Sequence, residues 1–492
     1  MIKQHLTDFL LYRYRYILSF IALLFIVASL LFVSGTMIPG GISESEMLTT
    51  TRSGNLSLGA LIGNQTDNII QLPYRTLQAT SLHLFGVSNI SIKLPSLILA
   101  ALSIAIFYKV LQLWFRRNVA IITVLLTITS SQFLLQSQLG TAGILYFFWG
   151  VALLLTTSMM ARTKRYRSLW FIAAAIIAGL SLYTSFMLYI IIPLIFAAIA
   201  HPHARFVVFR QPLWALAVGV VVFLVTITPL TIGLLAHPTV GLELLAGRHI
   251  ANGTFSLSQN IANLAQYINF YSSNSGRILQ PAYSLGLLLL GVIGLVHLLS
   301  TKYTAKNYIM SAWLLFMVPV LVLYPEIVAV TMLPLMFLVA FSIEFLIKKW
   351  YRMFPFNPYA RTAGFIPLMI LIVALCFSSL ERFTYGYIYD SNAASAYKED
   401  VSLLSSDLKN TKPREATIIT PENIQSFYSV YAKYYKGETK LTITTDSSKR
   451  SFNGRTYVAS GITSDKSTAS TILVASHGED ATRFYVYENI TR

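Results

Sequence analysis

FIAAAIIAGLSLYTSFMLYIIIPLIFAAIA, residues 171–200, runs for 30 positions without a charged residue. A helix of about 20 residues crosses the roughly 30 Å hydrocarbon core of a bilayer. This run is therefore one long kinked segment or two spans. Two spans suit its length and also let charge alternate correctly from loop to loop. The buried strands of a soluble α/β protein would need turn residues every few positions, and this run has few. A β-barrel would show short alternating segments, and none are present. Only helices and closed barrels satisfy their own backbone in lipid. The chain is expected to be an all-α polytopic membrane protein.

Composition agrees: of 492 residues, 55% are hydrophobic and 12% charged. About eleven transmembrane helices are expected, near residues 16–34, 92–114, 119–136, 142–160, 168–184, 186–200, 213–234, 282–300, 308–324, 327–347 and 363–380. The domains are a membrane part, residues 1–380, and a small soluble part, residues 381–492. The first apolar run is long for a signal peptide and lacks a small-x-small cleavage pattern, so it reads as a retained anchor. The lone cysteine, Cys376, excludes an intrachain disulfide and a cysteine-based zinc site.

The formal charge is +17, and its distribution is informative. Residues 1–379 hold 23 basic residues against seven acids, namely Asp8, Glu44, Glu46, Asp67, Glu243, Glu326 and Glu344. The positives sit in short loops between spans, such as Arg116-Arg117, Arg162–Arg167 and Lys348–Arg352. Connections near 137–141, 185 and 325 carry none. The positive-inside rule explains this better than nucleic-acid binding does. It puts the N-terminus in the cytoplasm. Residues 35–91, 235–281 and 381–492 then lie outside, as expected for a multi-pass protein of a bacterial plasma membrane.

The outer C-terminal part reads as an α/β domain. Ala416–Thr420 and Thr471–Ala475 have the pattern of buried strands. Leu441–Thr445, Thr456–Ala459 and Arg483–Tyr487 have it less clearly. TPENIQSFYSVYAKYY, residues 420–435, opens with a cap and a proline and shows an apolar helical face. The domain carries no Gly-rich phosphate loop and no cluster of metal ligands.

The first outer loop opens with PGGISESEM, residues 39–47. Ser43 and Glu46 have the S-x-x-E spacing of a capping box, and acids favour a helix N-terminus. A carboxylate that points into a cleft and does chemistry there is the other reading. Residues two apart project roughly 200° apart on a helix, so Glu44 and Glu46 can divide the two roles. Further on, Tyr74–Phe85 reads as a helix along the membrane surface, ended by Gly86. His83 is expected to pack on that helix. His201 and His203 fall on the inner side, and their spacing carries no metal site.

The ordered set of anchor helix, acidic loop, surface helix, FGVSNISIKLPSLI (85–98) and SQFLLQSQLGTAGILYFFW (131–149) resembles the GT-C-type glycosyltransferases that use polyprenyl-phosphate sugars. This is the superfamily of protein O-mannosyltransferases and lipid A aminoarabinose transferases. The resemblance covers about residues 35–200. It implies a GT-C-like membrane domain and transfer of a hexosyl or pentosyl group on the outer face. The donor would be a polyprenyl-phosphate-linked sugar, and the acceptor a glycan, lipid or protein. Membrane lipids are the other expected partner, and nucleic acid is not one. A carboxylate of the first loop would act as general base on the acceptor, so Glu44 and Glu46 are the catalytic candidates. Lys93 occupies the place of the basic residue before LPS. With Arg75 it would bind the donor phosphate, or both would snorkel to lipid headgroups. Arg248 and His249 would close over the phosphate, or form an ordinary solvated loop.

Two positions depart from the family pattern. Ser45 stands where an Asp is usual, and Thr141-Ala142-Gly143 replaces Thr-Pro-Asp. A divalent metal is possible in this superfamily, but the missing acid argues against one, and no cofactor is expected. These departures motivate a second reading, a non-catalytic relative serving as a binding or assembly subunit. A transporter or flippase ranks third, because the spans hold few ionisable residues.

Overall fold

The computed structural model describes residues 15–36, 41–56, 69–245, 256–268, 282–301, 304–323, 328–354, 356, 358–389, 397–445, 454–459, 469–474 and 483–488. Arg248 and His249 lie outside these residues. Among the described residues, six helices are long and apolar enough to cross a membrane: Asn89–Trp114, Ala142–Arg162, Leu213–Ala236, Ala305–Leu323, Ala329–Met353 and Phe365–Tyr385. Four shorter apolar helices, Leu24–Val33, Arg167–Ser181, Leu188–Ala200 and Leu285–Ser300, fall where four more spans are expected. The chain is an integral multi-pass membrane protein.

The expected span at 119–136 is broken. Helices Arg117–Thr129 and Ser131–Gln138 meet at 61°. The cause is local. Thr127, Thr129 and Ser130 turn their hydroxyls back onto the carbonyls of Thr123, Leu125 and Thr127. Ser130 then caps the next helix by accepting from the Phe133 N–H. Such back-bonding competes with the helical ladder and bends it. The 171–200 run is two helices joined through residues 182–187, where Phe186 takes a left-handed φ of 66°.

The core centres on helix Met332–Met353, almost wholly buried toward its middle. Phe107 stands edge-on to Phe147 and Phe337, with centroids 5.4 and 5.3 Å away. Gly294 lets helix Leu285–Ser300 lie against this central helix. A Cβ there would collide with the Leu338 backbone, which is the close approach small residues permit between membrane helices.

The C-terminal part forms a five-stranded sheet. Strands β3 (Glu415–Ile419), β4 (Lys440–Thr444), β5 (Arg455–Ala459), β6 (Thr471–Val474) and β7 (Arg483–Glu488) run in the order β4-β3-β5-β7-β6. β3 is parallel to β4 and β5, whereas β7 is antiparallel to β5 and β6. Each lies within a residue of its expected place. One expectation fails: β6 is not buried, because it is an edge strand with a single neighbour. The helix that carries the last candidate span runs Phe365–Tyr389, past residue 380.

This sheet part shares one core with the segment between the first two membrane helices. Ile42, Met47, Leu82 and Val87 from that segment, with Ile92 at the start of helix Asn89–Trp114, pack with Val401, Leu404, Phe427, Tyr428 and Tyr431. A short antiparallel ribbon joins β1 (Ile42–Ser43) to β2 (Tyr397–Lys398). Gly41 lies flush on that ribbon, where a Cβ would sit 2.8 Å from the Lys398 carbonyl. Lys433 Nζ and the Tyr434 hydroxyl donate to the Gly54 carbonyl at 2.9 and 3.1 Å, closing the C-terminus of helix Glu44–Gly54. Gly86, at φ 75°, ends helix Leu72–Phe85 with space for the Tyr434 carbonyl 3.1 Å from where a Cβ would stand.

Asp400 is buried at the start of helix Asp400–Thr411 and accepts from the Tyr428 hydroxyl at 3.2 Å. Burial pushes its carboxyl up to about 6, against opposing effects of Tyr428 and Lys398. A carboxyl raised in the folded state binds its proton more tightly there than when unfolded. Stability is therefore full near pH 4 and falls as the pH rises through 6. Asp400→Asn is expected to stabilise the C-terminal part of the full-length protein at pH 7 by at most about 3 kcal/mol. Hydrogen exchange should show this advantage fading near pH 4; an advantage that instead grew toward pH 4 would refute the assignment.

Candidate functional site

The first loop's acidic turn is built by a cap. Ser43 has extended backbone, its Oγ accepts from the Glu46 N–H, and the Glu46 carboxylate reaches back to the Ser43 N–H at 2.8 Å. The same carboxylate oxygen, Oε2, accepts from Ser43 Oγ at 2.9 Å. The other oxygen, Oε1, accepts from the Gly140 N–H at 2.5 Å, 94 residues away. Glu46 has no exposed surface, and both its oxygens are used. The short charge-assisted bond to Gly140 belongs to the stronger class of hydrogen bond.

Gly140 lies in the connection 139–143, between helix Ser131–Gln138 and the 3₁₀ turn Ala142–Ile144. Three elements of this end of the bundle hold the connection. Gln78 Nε2 donates to the carbonyls of Gly140 and Ile92, both at 3.1 Å. Ser96 Oγ donates to the Thr141 carbonyl at 3.2 Å. Tyr74 and Ser96 hydroxyls meet at 2.8 Å. Burial keeps the Tyr74 phenol protonated by pushing it far above its ordinary range, and the Glu46 charge adds to this. A Cβ on Gly140 would come within 2.6 Å of the Ile92 side chain and 3.2 Å of Glu46 Oε1, so the approach needs glycine.

The basic candidates are buried rather than at the surface. Lys93 is fully buried, its ammonium 3.4 Å from Gln138 Oε1 and attracted by Glu46. Arg75 is buried on helix Leu72–Phe85. Neither snorkels to solvent. Glu44 is the opposite case: it is exposed in the first helical turn and makes no hydrogen bond or ion pair among the described residues. His83 is exposed.

Residues 74–232 match the family model described as Dolichyl-phosphate-mannose-protein mannosyltransferase. The oligosaccharyltransferase of Archaeoglobus fulgidus, tethered with an acceptor peptide containing the NVT sequon, is similar in structure. Its TM-score is 0.55 at 12% identity, over 88% of this chain and 60% of that one. The chain has the GT-C glycosyltransferase fold. The same enzyme in complex with Zn and sulfate gives a TM-score of 0.53 at 14% identity, over 83% and 61%. ArnT from Cupriavidus metallidurans, bound to undecaprenyl phosphate, gives 0.49 at 12% identity, over 94% and 97%. This chain spans 60% of the oligosaccharyltransferase's length. No curated protein matches its sequence.

Among the described residues, the side chains around Glu46 and Gly143 do not offer a set of ligands for a divalent metal. Glu46 is saturated by Ser43 and Gly140. Position 143, the place of the family's second acid, is glycine, and the Gln136 amide oxygen fills the space a Cβ would take. Among the described residues no three His, Cys, Asp or Glu side chains converge. Glu44 is left as the first loop's only solvent-facing carboxylate among the described residues.

Sequence reasoning missed Gln78, Ser96, Gln138 and Gly140. The spacing Tyr74, Gln78, Ser81 and Leu82 carried a signal, since these share one helical face. A surface helix with a glutamine and a serine on its buried face has polar partners to satisfy.

Glu46→Ala should destabilise the protein by about 3 kcal/mol or more, because it removes three buried hydrogen bonds and the charge that attracts the buried Lys93 ammonium. Glu44→Gln should leave thermal stability within about 0.5 kcal/mol of wild type. Thermal unfolding in detergent checks both, and equal losses would refute the division of roles.

Proposed function

We propose that this chain is a membrane glycosyltransferase that moves a sugar from a polyprenyl-phosphate-linked donor to an acceptor on the outer face, with Glu44 as general base. The observation that carries the reading is the division between two carboxylates two residues apart. Glu46 is buried and fully bonded; Glu44 is exposed at a helix N-terminus fixed by that same carboxylate. A rigidly placed carboxylate in a first outer loop suits proton removal from an acceptor hydroxyl. The acceptor oxygen forms the new bond to the anomeric carbon. The bond from that carbon to the lipid phosphate breaks, and its electron pair leaves with the phosphate.

The match over residues 74–232 to a mannosyltransferase family supports a lipid-phosphate sugar as donor. The GT-C fold supports a transfer reaction, and the apolar helices support an eleven-span membrane part. The part beyond residue 396 packs onto the acidic loop, which suits it to select the acceptor. Arg75 and Lys93, being buried, would reach a donor phosphate only after the structure around them opens. At rest Lys93 is attracted by the Glu46 charge. Arg248 and His249 keep their proposed part in closing over the phosphate.

A second reading, a binding or assembly subunit without turnover, is favoured by one feature: Gln136 occupies the position of the second acid beside Gly143. Transfer of radiolabelled sugar from a panel of polyprenyl-phosphate donors decides between the two. Glu44→Gln is expected to lower turnover at least a hundredfold with unchanged protein level, the usual scale of a lost general base. Full activity in Glu44→Gln would remove it as base, and a wild type that binds donors without turnover would establish the second reading.

A further inference from the structure

The polar layer around Glu46 lies at one end of helix Asn89–Trp114. At the other end, roughly 30 Å away along the axis between Lys93 and Trp114, is a separate cavity of about 370 Å³. It opens between the helix ends carrying Trp114, Arg162, His203 and Lys306. Loop charges assign this end to the cytoplasm.

The cavity has two kinds of lining. Most of it is apolar, including Met160, Leu194 and Ile309, and two cations, Arg162 and Lys306, complete it. Arg162 is exposed and donates to the Leu113 carbonyl, which fixes the guanidinium at the opening. Lys306 is half-buried, bonded to the Trp114 carbonyl at 3.3 Å and stacked 4.5 Å over the Phe115 ring. Glu344 is the nearby acid, and it serves two lysines at once, Lys306 at 3.5 Å and Lys348 at 2.8 Å. The local charge therefore stays positive after pairing. No acidic side chain lines the cavity among the described residues. Trp114, whose indole donates to Ser158 Oγ at 2.9 Å, stands at the level where aromatic side chains meet headgroups.

We infer that this cavity binds an anionic phospholipid of the inner leaflet, with its phosphate at Arg162 and Lys306 and one acyl chain along the apolar lining. Two cations beside an apolar slot between membrane helices fit that ligand and neither a soluble anion nor a neutral lipid. The site is on the opposite side of the bundle from the proposed transfer centre and does not rest on that function.

Native mass spectrometry of the full-length protein would test it, using phosphatidylglycerol and phosphatidylcholine of identical acyl chains. Preferential retention of phosphatidylglycerol is expected, unaffected by millimolar inorganic phosphate. Arg162→Gln, at an exposed position, should weaken that preference about fivefold, the worth of one cation near an anionic surface. Ala198→Trp, which fills the slot without touching the cations, should abolish retention. Equal retention of the two lipids, displacement by inorganic phosphate, or indifference to both substitutions would overturn the inference.

Discussion

A buried carboxylate must be compensated, and in this protein that requirement organises the end of the bundle where Glu46 lies. Glu46 has no solvent contact, so its charge is met by the Ser43 N–H and hydroxyl, the Gly140 N–H and the nearby Lys93 ammonium. Removing an ion from water costs several kcal/mol unless bonds of good geometry replace hydration. The replacement here comes from three separated segments. The acidic turn, the second span and the 139–143 connection are thereby fixed to one another. Gln78 and Ser96 extend the same layer by satisfying carbonyls of the connection and of the second span.

The C-terminal sheet takes part in this arrangement rather than standing apart from it. Its helix Glu422–Tyr434 supplies Lys433 and Tyr434 to the end of the acidic helix, and its aromatic side chains complete the apolar core beneath that helix. The loop from Gly41 to Gly54 is thus held at its start by the β1–β2 ribbon, at its first turn by Gly140, and at its last turn by Lys433. Such restraint costs conformational freedom that a mere connector would keep. It fits the role proposed for the exposed Glu44 carboxylate, which needs accurate placement.

Much of the fold was legible because its signals are local. Long apolar runs located the six long membrane helices and the four shorter ones, S-x-x-E marked the Ser43–Glu46 cap, and Gly86 marked the end of helix Leu72–Phe85. What escaped was non-local or depended on neighbours. Glu46 reaching Gly140 joins positions 94 apart, which no spacing announces. Lys93 reads as a headgroup ligand until the connection is folded over it. The bend at Ser130 arises from hydroxyls choosing carbonyls within an otherwise apolar span. β6 has a buried strand's composition but an edge strand's place, and only sheet order separates the two. At the candidate site, the two glutamates stand out in the sequence, but only burial separates their surroundings, and the proposed division of roles rests on that difference.

The most direct test of the account is amide hydrogen exchange across residues 42–54 and 136–145 in wild type, Glu46→Gln and Glu44→Gln. If the buried carboxylate holds its end of the bundle together, Glu46→Gln will speed exchange in both segments at once, and Glu44→Gln will leave both as in wild type. Unchanged protection in Glu46→Gln, or a loss confined to residues 42–54, would show that the 139–143 connection is held by something other than Glu46.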